Sequence, residues 1–120
     1  MNGIKYPLEQ LLSIKKNRYD QAIVHLEKMK EQLAAEEKKL LEVEKKRDAV
    51  KEHKQAKLKQ LRDELDGGTT APKIEQMKGY LKVVESKLQE EEGKVNKQQD
   101  AVSKATTRVE EAKQDVLLKE

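Results

Sequence analysis

Cysteine, tryptophan and phenylalanine are all absent from this 120-residue sequence, and aromatics make up only 2% of it. Without cysteine there are no disulfides and no thiolate metal sites, which fits a reducing cytosol. Without aromatic bulk a compact globular core is hard to fill, because each ring normally buries a large apolar area. No apolar run approaches the length of a signal-peptide core or a membrane span, so a soluble, cytoplasmic chain with no direct membrane insertion is expected. Proline occurs only at Pro7 and Pro72, and glycine is scarce.

What is present is charge: 41% of residues, 26 basic and 23 acidic, interspersed along the chain. Such a composition also describes unfolded chains, and apolar periodicity decides between the two. Between Leu8 and Asp66 nothing breaks a helix for about sixteen turns, roughly 88 Å. Asp66-Gly67-Gly68-Thr69-Thr70-Ala71-Pro72 is the one strong turn signal. Gly67 or Gly68 can end a helix in the left-handed conformation, and Pro72 suits the first turn of the next. The sequence predicts an all-α fold over 1–120, two long helices forming an antiparallel coiled-coil hairpin. Its elements are a helix over 8–66, a turn over 67–71 and a helix over 72–119.

The seam can be read in steps of seven. Ile74, Leu81, Leu88, Val95, Val102, Val109 and Val116 are all aliphatic. Beside them run Met77, Val84, Glu91, Gln98, Ala105, Ala112 and Lys119. In the first helix the rows are Leu12, Tyr19, Leu26, Leu33, Leu40, Arg47, Lys54, Leu61 and Leu8, Lys15, Ala22, Met29, Glu36, Val43, Val50, Lys57. Alternating steps of three and four are the signature of a left-handed coiled coil. A turn near Thr69 makes facing residue numbers sum to about 138, which predicts an Arg47–Glu91 pair within the seam. The same register leaves the first eighteen residues overhanging. They hold Lys5, Lys15, Lys16 and Arg18 against Glu9 alone, so the whole formal charge of +3 sits there. Tyr6, Leu8, Leu11, Leu12 and Ile14 share that overhang, an apolar and basic surface without a partner in the hairpin.

Chemical motifs are wanting. His25 and His53 lie on one helix with no spacing that converges on a metal, and exposed helix histidines are the plainer reading. Glu90-Glu91-Glu92 has no cleft in which burial could tune a catalytic acid. Gly67-Gly68 lacks the Lys-Ser/Thr tail of a phosphate loop. No enzyme activity, cofactor or small-molecule substrate is expected. Lysine clusters such as Lys45-Lys46-Arg47 mostly have acids within a helical turn, which argues against a nucleic-acid stripe. Near the turn, Lys78-Gly79-Tyr80-Leu81-Lys82-Val83-Val84 holds more apolar residues than the seam can use. Either the core broadens there, or Lys78, Gly79, Tyr80, Lys82 and Val83 form a binding patch that the exposed glycine lets a partner approach closely.

The opening Tyr6-Pro7-Leu8-Glu9-Gln10-Leu11-Leu12-Ser13-Ile14-Lys15-Lys16 resembles the N-terminal signature of the type III secretion stalk family, the YscO and FliJ proteins. The stretch RDELDGGTTAPKIEQMKGYLKVVESKLQEEEGKVNKQ, Arg62 to Gln98, is similar to the virulence-system branch of that bacterial family. The resemblance implies a cytoplasmic coiled-coil shaft, peripheral to the membrane-embedded secretion apparatus. The end bearing the termini would bind a hexameric secretion ATPase and promote its assembly and activity, through Tyr6, Leu8, Leu12, Lys15, Lys16 and Arg18. The turn end would contact the cytoplasmic ring of the export gate, through Lys78, Gly79, Tyr80, Lys82 and Val83. Some members also escort secretion chaperones. Family members usually run further past the second helix, so this chain is expected to be a shortened form. The alternatives are a general coiled-coil tether or adaptor, and a nucleic-acid-binding coiled-coil arm.

Overall fold

The computed structural model describes residues 7–120. Two helices account for nearly all of them, α1 (Leu8–Gly67) and α2 (Ala71–Lys119), running antiparallel across a three-residue turn. The Pro7 carbonyl accepts the amides of Gln10 and Leu11 at 3.0 and 3.2 Å and so opens α1. Glu9 adds a negative charge to that first turn, where the helix dipole favours it. At the other end Gly68, not Gly67, takes the left-handed conformation, with φ of 77°. α1 therefore runs one residue past Asp66. The Thr70 carbonyl accepts the Ile74 amide at 3.1 Å, so α2 begins at Ala71, one residue before Pro72.

The described residues fall into two compact units: the chain up to Glu37 with Ala101–Glu120, and Lys38–Asp100. In both, α1 packs against α2 along the heptad rows. From Tyr19 to Glu64 every row position of α1 is buried or half-buried, and from Ile74 to Lys119 every row position of α2 is too. In the unit holding the termini, Met29, Val109 and Ala112 form the buried cluster, with Leu26 and Leu33 packed against it. In the unit holding the turn, Val84, Leu88 and Val95 are buried, and Val43 and Val50 are half-buried on α1. Side chains this well covered each contribute about 1.5–3 kcal/mol when fully buried.

Ion pairs confirm the alignment within the turn-bearing unit. Lys54 pairs with Glu85, and Lys73 with Glu64 at 3.4 Å, so partner numbers lie within one of a sum of 138. The expected Arg47–Glu91 pair is not formed. Arg47 places its guanidinium 3.0 Å from Asp48, its neighbour in sequence. Glu91 is 3% exposed and takes Lys87 and Lys94 of its own helix, at 3.0 and 3.5 Å. The arginine stem is long enough to carry its charge out of the seam towards solvent. The lysines one turn either side of Glu91 reach it without leaving their own helix.

Candidate functional site

Two surfaces follow from this packing. In the unit with the termini, the seam rows continue past their last partner: Leu8 is 72% exposed and Leu12 57%, and Lys15 is also exposed, whereas Tyr19 is half-covered. Leu8, Leu11, Leu12 and Lys15 stand at i, i+3, i+4 and i+7, the spacing by which a helix lays one face into a groove. Ile14, Lys16 and Arg18 are exposed alongside. A shallow cavity of about 340 Å³ is lined by Leu12, Lys15, Lys16, Tyr19, Lys119 and Glu120. Tyr6 lies outside the described residues. Sequence reasoning missed Leu117 and Leu118, which are strongly exposed and add apolar area to the same unit. Their signal was a pair of leucines directly after the seam residue Val116, a place where the heptad needs none.

In the turn-bearing unit the proposed patch separates into two flanks. Leu81 and Val84 turn inward, half-buried and buried, and Tyr80 and Val83 stay exposed beside them. Lys78 and Lys82, four residues apart, share the opposite flank of α2, where α1 contributes the exposed Leu58 and Leu65. Gly79 lies on the outer surface, and a Cβ built there meets nothing within 4 Å. Tyr80 is held from across the seam. Its hydroxyl lies 2.7 Å from His53 Nε2, the two rings stand edge to face with centroids 5.8 Å apart, and Lys57 Nζ is 5.6 Å from the tyrosine ring centre. His53 is a further residue that the sequence did not assign to this patch; the cross-helix register brings it to Tyr80.

The seam buries one carboxylate, that of Glu91. The hydrogen bond from Lys87 holds the Glu91 carboxyl below the ordinary carboxylate range, against the opposing effect of burial. The same contact raises Lys87. Glu91 Oε2 is buried with no hydrogen-bond partner. Among the described residues no group of three or more His, Asp or Glu could hold a metal ion, and no helix is long and apolar enough to cross a membrane.

The described residues thus present exposed apolar and basic surfaces on a pair of packed helices. The family model for YscO-like proteins matches residues 3–120, and the chain belongs to the YscO-like family of type III secretion proteins. It is similar to CT670 of Chlamydia trachomatis, described as a YscO homologue, with 44% identity and a TM-score of 0.89. That match covers 98% of this chain and 72% of the other. It is also similar to a chain from the complex of Chlamydia pneumoniae CdsV and CdsO. There the identity is 48% and the TM-score 0.66, over 68% of this chain and 99% of the other. Among curated proteins nothing matches.

Proposed function

We propose that this chain is the non-enzymatic central stalk of a type III secretion system, cytoplasmic and peripheral to the membrane-embedded apparatus. The unit bearing the termini docks on the hexameric secretion ATPase and promotes its assembly and activity. The turn-bearing unit docks on the cytoplasmic ring of the export gate. The observation that carries the first contact is the exposed Leu8, Leu11, Leu12 and Ile14 set among Lys15, Lys16 and Arg18. Basic charge around an apolar face steers encounter with an acidic ring, and the leucines supply the area that leaves water. For the second contact we take the partner to be of the CdsV type, the protein named with CdsO in the complex that one match comes from.

Titration of the purified chain against the assembled ATPase, and separately against CdsV, tests the reading. Saturable binding to both, with faster ATP hydrolysis in the first case, is expected. A general tether binds neither, and a nucleic-acid arm instead shows salt-sensitive binding to RNA or DNA.

A further inference from the structure

In a chain that is 41% charged, one run of exposed positions flanking the seam of the turn-bearing unit is uncharged, with Lys57 at its edge over the Tyr80 ring. It is made by Ala49, His53, Ala56 and Gln60 of α1, spaced four, three and four residues apart, and by Tyr80 and Val83 of α2. All six are exposed, Val83 by 65%. The opposite flank, with Lys78 and Lys82, is charged in the ordinary way.

Resting on the reading that this unit docks on a CdsV-type protein, we propose that the uncharged face is the docking surface. Its occupant is a partner segment presenting an apolar side chain next to a carboxylate. Three features support this. Tyr80 is already fixed by the His53 contact at 2.7 Å and by the edge-to-face packing of the two rings, so little side-chain freedom is lost when a partner covers it. Beside it opens a cavity of about 310 Å³, lined by Lys57, Gln60, Gln76, Met77, Tyr80 and Leu81, which suits one apolar side chain. At its edge Lys57 bonds only Gln60, at 3.2 Å, and has no ion pair among the described residues, which leaves its charge for a carboxylate. Asp63, a turn further on beyond Gln60, keeps that carboxylate to the Lys57 side by repulsion.

The test uses purified Chlamydia pneumoniae CdsV and the full chain, with binding followed by calorimetry. Val83→Glu and Ala56→Glu place a charge on the face at exposed helical positions and are expected to weaken binding by at least about tenfold. Lys57→Gln is expected to weaken it and to flatten its dependence on salt. Lys78→Glu and Lys82→Glu, on the other flank, are expected to stay within about twofold. Melting followed by circular dichroism checks the fold, and Val83→Ala carries the test should a glutamate variant melt early. If Lys78→Glu and Lys82→Glu weaken binding and the face variants do not, docking at this unit stands and the uncharged face is wrong. Equal losses at both flanks also overturn the face. If none of these variants matters and Leu12→Ala or Arg18→Ala abolishes CdsV binding, the assignment of CdsV to this unit fails, and the inference with it. A chain that does not bind CdsV at all overturns both.

Discussion

Arg47 stands level with Glu91 across the seam, yet its guanidinium lies 3.0 Å from Asp48 and the buried carboxylate is left to Lys87 and Lys94. Glu91 thus occupies a core position with one oxygen unpartnered. Replacing such a group by an apolar one of similar size removes a desolvation cost without breaking a cross-helix bond. Glu91→Leu is expected to raise the midpoint of thermal unfolding by several degrees. Charge reversals at Arg47 and Glu91 are expected to be additive, because the two side chains do not share a contact. Recovery of stability in the double reversal would show that the pair closes in solution.

Acid gives a second handle on the same residue. The folded carboxyl of Glu91 is held below its unfolded value by Lys87. Ionised Glu91 therefore contributes stability above the unfolded carboxylate range, and that contribution is lost as pH falls through the lowered folded value. Glu91→Gln is expected to unfold with a shallower dependence on acid than the parent chain. The measurement is unfolding midpoint against pH, from neutral down to the lower carboxylate range; identical slopes would contradict it.

The rows of seven were legible because burial demands apolar side chains at fixed helical angles, and from Ile74 to Val116 nothing interrupts them. The fates of the intruders were not. Arg47, Lys54 and Lys57 occupy seam positions, but each carries its charge to a flanking group: Asp48, Glu85, and Gln60 beside the Tyr80 ring. Long flexible stems make that choice, and residue spacing does not specify it. The candidate patch near the turn was legible in part for a related reason. Tyr80 and Val83 stood out as apolar residues off the seam, but their neighbour His53 comes from α1, and a linear patch merges two flanks that the helix separates.

Two valines of α2 separate packing from surface. Val95 is 2% exposed and Val83 65%. Val95→Ala is expected to cost about 1–3 kcal/mol by removing buried methyl groups and leaving space behind. Val83→Ala should lie within about 0.5 kcal/mol of the parent. Denaturant unfolding of both variants decides; equal costs would mean that the seam is less closely packed at Val95 than its burial indicates.

Gly79 and Gly93 interrupt an otherwise good helix, and a Cβ at either position meets nothing within 4 Å. Alanine at each should stabilise by about 0.5–1 kcal/mol, chiefly by restricting the unfolded chain. If Gly79→Ala stabilises the chain but weakens CdsV binding, close approach of a partner backbone is the reason for glycine there. If binding is unchanged, the residue serves neither packing nor docking.

The end bearing the termini gives the sharpest division between stability and function. Leu12 is 57% exposed, Lys15 and Arg18 are exposed, and none has a seam partner among the described residues. Alanine is a better helix former than any of them or equal to it, so Leu12→Ala, Lys15→Ala and Arg18→Ala together should leave helix content and unfolding midpoint nearly unchanged. Their loss removes an apolar anchor and two cations from the proposed ATPase-docking face, and affinity for the assembled ATPase is expected to fall at least about tenfold. The loss should be largest at low salt, where the two cations steer the encounter most strongly. Affinity for CdsV should not change, since that contact is assigned to the turn-bearing unit. Sedimentation of the triple variant with each partner, across a salt series, checks all three expectations at once. An undiminished ATPase complex would move that contact elsewhere on the chain, with Leu117 and Leu118, exposed by 59% and 83%, the next positions to change.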